Sequence, residues 1–463
     1  VRHRHLLRLA LLLAAAPALC AQTFTILHNF GGVSGDPSYP STPGIIAQGQ
    51  DGSLFSTTGN AELSSCCENS GLPGKAFTIT TAGSVTVLHT FPAVKRFTQG
   101  LILGTDGKYY GSTTYAGAYG FGRVFKMTKD GALTTLYSFH GGADGARPSG
   151  PPIESEAGAF YGVTNGDNGT DLGSVYKVTR YGDFTLLHTF SGSDGAGAVG
   201  PLVQGTDFFF YGMTTGGGAS GNGTIFRISR NGDFKVLFSF DGTNGQYPQS
   251  GLIQANDGNF YGTTPFGGTC CGVVFKMTPD YNVSVIHTMN GEEDGYGPWA
   301  GLVQATDGNL YGANNGGGPD DAGVLFRVTP GGTFTVMRTL TWTRDSGLRP
   351  LSQMIQHTNG RLYGMTWGGG SAGGGTFYSL DMGLKPFVTY LPTYGRAGAS
   401  VQILGQGFTA ASIVSFNGVP GTVTQVSPTF LKAVVPAGAT TGPITVTTPT
   451  GTLTSNKTFI VHP

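Results

Sequence analysis

A Tyr-Gly pair recurs through most of this chain: Tyr110-Gly111, Tyr161-Gly162, Tyr211-Gly212, Tyr261-Gly262, Tyr311-Gly312 and Tyr363-Gly364, with Phe55-Ser56 as a weaker first copy. The spacing of about 50 residues falls in the range of propeller blades. One unit, Gly251 to Met289, shows what is repeated. Its segments GLIQA and NFYGTT are separated by Asn256-Asp257-Gly258, and Asp-Gly between β-prone runs marks a tight hairpin. GVVFKMT follows, and Pro279-Asp280-Tyr281-Asn282 turns the chain into VSVIHTM. Apolar residues never recur at helical spacing here. The unit reads as a four-stranded antiparallel meander, strands A to D.

Such a sheet cannot bury both faces alone, so copies must stack around an axis. Seven strand-B copies predict seven blades. The last unit stops after strand C at Gly375–Leu380, and a D-like segment, Phe24–Phe30, stands at the start. It resembles Val85–Phe91 and Phe184–Phe190. The prediction is an all-β, seven-bladed β-propeller over residues 22–384, closed by its N-terminal strand, which would remove exposed edges.

Residues 386–463 lose the repeat and read as short strands with turns every eight or so residues, the pattern of a small immunoglobulin-like β-sandwich over 385–463. Residues 1–21 carry Arg2, Arg4 and Arg8, an apolar run, and small residues to Ala21, the pattern of a secretory signal peptide. Cys20 invites a lipoprotein reading, but Leu19 beside it fits poorly. No later apolar run is long enough to span a membrane. These features predict an exported protein at the cell surface or outside it, with the periplasm as an alternative. Charged residues make up only 11% and the formal net charge is zero, so no basic field exists to hold nucleic acid.

Two family resemblances follow. Ala399–Phe408, Val414–Gly418, Val435-Pro436 and Gly442–Val446 resemble the IPT/TIG family of immunoglobulin-like domains, which implies an extracellular spacer or interaction module. Gly-Leu-Ile/Val-Gln, Asp-Gly-Asn-Phe/Leu-Tyr-Gly and Val-Phe-Lys/Arg-Met/Val-Thr resemble the GloVer tandem repeat over about residues 24–380. That resemblance implies an exported bacterial protein and brings no established activity.

The D–A and B–C loops share one face of a propeller, and long loops on a rigid ring are where binding resides. Trp299, Trp342 and Trp367 all fall in these loops. Flat rings there suit sugars, and the plainer reading is burial between blades. The D–A loops also carry Asp144, Asp194, Glu292-Glu293-Asp294 and Asp345. Facing a central channel, such carboxylates would suit Ca²⁺ or a glycosidase acid/base pair; as Asp-Gly dipeptides they are turn residues. Glu292, Glu293 and Asp294 depart from the sister loops and are the best place to look for metal. His28, His89, His188 and His287 share one strand-D position with Tyr137, Phe238 and Arg338, which reads as structural. Beyond the leader, Cys66-Cys67 and Cys270-Cys271 form two adjacent pairs, suited to vicinal disulfides more than to zinc. Gly369-Gly370-Ser371-Ala372-Gly373 matches a nucleophile elbow in letters only, since no helix follows.

The expected function is non-catalytic binding of a polysaccharide or a surface protein, with no cofactor unless Ca²⁺. A polysaccharide lyase or glycoside hydrolase, and a structural adhesion component, are the alternatives.

Overall fold

The computed structural model describes residues 22–40, 44–59, 73–92, 99–155, 158–167 and 169–462. Among them, seven four-stranded antiparallel sheets arise from Thr23 to Asp381, and the only helical element is a 3-10 turn at Gly142–Asp144. Sheet five is typical: Ile253–Gln254, Phe260–Thr264, Val273–Met277 and Val283–Thr288 pair in chain order. Sheet seven differs. Its first three strands are Ile355–Gln356, Leu362–Thr366 and Thr376–Asp381, and its fourth is the N-terminal strand Thr23–Asn29, antiparallel to Thr376–Asp381.

The repeat motif follows from packing. The Asp of the A–B turn accepts a hydrogen bond from the tyrosine four residues on: Tyr110–Asp106 at 2.9 Å, Tyr261–Asp257 at 2.6 Å and Tyr311–Asp307 at 2.8 Å. Burial first, then this carboxylate, raises the Tyr261 hydroxyl well above its ordinary pKa and keeps it a donor. The glycine after it has no room for a side chain, since a Cβ at Gly262 would lie 2.5 Å from the strand-C ring of Phe275.

Neighbouring sheets bury one another. Tyr110, Val124 and Phe139 of sheet two pack on Phe160, Tyr176 and Val178 of sheet three. Comparable clusters join every consecutive pair up to sheets six and seven. Another joins Leu54 and Phe77 of sheet one to Tyr363 and Phe377 of sheet seven. Strand-B rings stack across several junctions, Tyr110 on Phe160 at 3.8 Å and Tyr161 on Phe210 at 4.1 Å. The glutamine ending strand A adds a polar stitch to the preceding A–B turn. Gln254 accepts from the Thr206 amide, Gln304 from Asn256 and Gln356 from Thr306, at 2.9, 2.8 and 2.9 Å. Gln48 accepts from Thr358 at 3.0 Å, tying sheet one to sheet seven in the same way.

The C-terminal segment forms two sheets around a core of Val401, Ile403, Phe416, Leu431, Val446 and Phe459. It packs on the A–B turn end of the repeat sheets. Gln50 donates to Gln402 at 2.7 Å, Asn256 donates to the Asn456 carbonyl at 2.8 Å, and Leu404 and Phe430 join the cluster between sheets one and two. Among the described residues no helix is long and apolar enough to cross a membrane.

Two substitutions test these contacts by urea unfolding. Tyr311→Phe removes one hydrogen bond to a carboxylate and is expected to cost roughly 1–2 kcal/mol. Gly262→Ala forces a methyl into Phe275 and is expected to cost about 1–3 kcal/mol. Parent-like unfolding of both would show that the motif is not held by this packing.

Candidate functional site

Strand A enters each sheet from the D–A loop, beside the B–C loop of the sheet before. Four residues at these entries hold left-handed φ without being glycine: Tyr39 at 54°, Arg147 at 57°, Tyr247 at 53° and Arg349 at 53°. Each precedes a proline. The conformation costs about 1–2 kcal/mol for an L-residue, so something must hold it. The holding group is a carbonyl of the preceding sheet's B–C loop. The four amides donate to Gly374, Phe121, Asn222 and Ala322 at 2.7, 2.8, 2.9 and 2.7 Å.

The side chains so aimed meet aromatic rings on the same face. Trp367 lies half-buried, 5.5 Å from the Tyr39 ring and 5.8 Å from the Arg349 guanidinium. Arg147 lies 5.4 Å over Tyr115. Phe266 stands between Tyr247 at 6.3 Å and Trp299 at 6.2 Å, and both Phe266 and Tyr247 are exposed. Trp342 is 62% exposed and donates from Nε1 to the Asp320 carbonyl. Among the described residues none of the three indoles makes a ring contact with another, and each has its own surroundings. Tyr39, Arg147, Tyr247 and Arg349 were not singled out from sequence. Their X-Pro dipeptides were visible, but X-Pro reads as extended chain, and the left-handed turn depends on a carbonyl from another repeat.

The acidic D–A loops are organised differently from a channel lining. All seven C–D ladders shift register at one place in strand D, and such a bulge re-aims the side chain beside it. That side chain reaches the loop carboxylate: His28 to Asp36 at 3.0 Å, His188 to Asp194 at 2.9 Å, His287 to Asp294 at 2.9 Å and Tyr137 to Asp144 at 2.6 Å. Three of the four recurring histidines, His28, His188 and His287, are thus partners of D–A loop carboxylates. Their spacing of six to eight residues was the available signal. Burial raises the Asp194 carboxyl, but the Ser191 amide and hydroxyl and His188 outweigh it and leave the pKa below its ordinary value.

Glu292 and Glu293 are exposed, and with Asp294, Asp321, Phe334 and Val336 they line an open cleft of about 760 Å³ between sheets five and six. Among the described residues no three His, Cys, Asp or Glu side chains converge as a metal ion requires. Cys270 and Cys271 are joined by an S–S bond of 2.05 Å. Cys66 and Cys67 lie outside the described residues, as does the segment read as a signal peptide.

The Gloeobacter/Verrucomicrobia repeat matches residues 97–271 and 270–405, and the IPT/TIG domain matches 387–461. No curated protein matches the chain. Among solved structures, a fungal alcohol oxidase of the AA5 family, in complex with copper, is similar at 14% identity and a TM-score of 0.51, covering 92% of this chain and 98% of its own. A puromycin hydrolase aligns at 12% identity, TM-score 0.46, over 89% of this chain and 58% of its own. A putative 6-phosphogluconolactonase from Bacteroides uniformis aligns at 15% identity, TM-score 0.43, over 64% and 84%. At such identities the first supports a β-rich, propeller-like fold and nothing about chemistry.

A depressed carboxylate stabilises its loop above the unfolded pKa of about 3.9, and that contribution disappears as pH falls through the folded value. Acid is therefore expected to release the Ser191 amide, which Asp194 accepts at 2.8 Å. Amide exchange at Ser191, corrected for its intrinsic rate, should lose protection below about pH 4. Asp194→Asn should weaken protection at neutral pH and remove its acid dependence. An acid-insensitive Ser191 in the parent would refute the clasp.

Proposed function

Because the chain belongs to the Gloeobacter/Verrucomicrobia repeat family and carries an IPT/TIG domain, we propose that it is a non-catalytic binding protein of the cell surface or extracellular space. Its ligand in this reading is a polysaccharide or a surface protein, taken on the loop face of a closed seven-bladed propeller. The pairing of the N-terminal strand with Thr376–Asp381 and the Gln48–Thr358 stitch support closure. The repeat and the IPT/TIG domain suit an extracellular β-rich protein.

The observation that carries the reading is the set of aromatic and arginine side chains at the loop end, held by strained backbone. Strain of this kind is retained where neighbouring structure over-determines it, and it clusters at binding sites. The other end of the sheets is occupied by the C-terminal domain, so the loop end is the one left to a partner. Exposed rings offer stacking faces for sugars, and Arg147 and Arg349 would add hydrogen bonds to hydroxyls or carboxylates.

A screen of the mature protein against neutral and acidic glycans, with and without Ca²⁺, tests this. Binding with intact ligand is expected. A ring contact contributes about 0.5–1.5 kcal/mol, so Trp367→Ala or Phe266→Ala should weaken binding roughly 2- to 10-fold. Binding untouched by both, and by Trp299→Ala and Trp342→Ala, would move the site off this face. Released fragments would replace this reading with a lyase or hydrolase.

A further inference from the structure

Between the C-terminal domain and the first strands of sheets one, two, five, six and seven lies a cavity of about 380 Å³. Its walls are largely apolar, with Ile46, Ile253, Leu302 and Ile355 among them. The strand-A glutamines that border it are already spent on the stitches between sheets. One charged group lines it: Lys457, on the last strand, Gly451–Val461. No carboxylate, histidine or tyrosine is among the described lining residues.

The Lys457 carbonyl is satisfied by the Tyr390 hydroxyl at 2.8 Å, but its ammonium has neither an ion pair nor a hydrogen bond among the described residues. Lys457 is exposed to solvent at the cavity, and the protein around it pushes its pKa down. Beside it, the buried Oδ1 of Asn456 has no donor among the described residues. An ammonium that faces an apolar wall with no opposite charge beside it is open to pairing with an anion. A single cation also cannot balance a multiply charged anion. The volume lies at the lower end of the roughly 300–1,000 Å³ of small-molecule pockets.

We propose that this cavity binds a small monocarboxylate with an apolar tail, its carboxylate on the Lys457 ammonium and its tail against the isoleucine and leucine wall. The site needs both domains, since the cation comes from one and the wall from the other. It does not depend on the loop face.

Titration calorimetry on the full chain would compare hexanoate with hexanol, hexylamine and inorganic phosphate. Hexanoate should bind at least tenfold tighter than hexanol, and hexylamine and phosphate should give no saturable heat. Lys457→Met should lower hexanoate affinity at least tenfold while Lys457→Arg largely retains it. Hexanoate binding no better than hexanol, or unchanged in Lys457→Met, overturns the proposal. If Lys457→Met does not fold, the comparison of hexanoate with hexanol on the parent chain decides alone.

Discussion

In six of the seven repeat sheets an aromatic ring of strand C rests on a strand-B glycine, with Ser56 at that position in sheet one, and the packing of those six sheets on their neighbours is built around that contact. Phe275 over Gly262 and Phe226 over Gly212 are two copies of it. With the ring drawn down onto the backbone, the tyrosine before the glycine lies in the sheet junction. Its hydroxyl runs back to the Asp of the turn, as Tyr211 does to Asp207 at 2.6 Å. The same few residues therefore set the turn, the sheet and the junction. Hydrophobic burial supplies the driving force, and the missing Cβ supplies the geometry.

The two ends of the sheets then acquire different tasks. Tight A–B turns make a low surface studded with backbone groups and strand-A glutamines, and the C-terminal domain docks there. At the other end the chain must cross from the last strand of one sheet to the first strand of the next. The crossing is held by strand-D side chains on loop carboxylates and by left-handed residues on the carbonyls of the neighbouring sheet. Its rigidity comes from short hydrogen bonds, and its chemistry from the aromatic and arginine side chains that those bonds aim.

Much of this was legible in the residues. Asp-Gly four residues before Tyr-Gly announces a hairpin, and the recurrence about every 50 residues announces stacked sheets. The likeness of Phe24–Phe30 to later D segments announced the pairing with Thr376–Asp381. Less was legible at the candidate site. Tryptophans can be picked out as residues, but what surrounds Trp299, Trp342 and Trp367 is a matter of three dimensions. His188 and Asp194 read separately as a structural histidine and a turn acid. Their bond needs the bulge in strand D, which no local pattern announces.

The sequence by itself determined the strand pattern, the repeat and the change of character after Gly383, because those follow from side-chain alternation and turn chemistry within a few residues. Only the tertiary structure decided which carboxylates are engaged, which aromatics stand open, and where Lys457 sits. Each of these depends on a partner many residues away: a carbonyl of the preceding sheet for Arg349, a bulged strand for Asp194, and a wall built by five sheets for Lys457. A local sequence pattern encodes what a residue prefers, and its environment is set by whatever packing brings beside it.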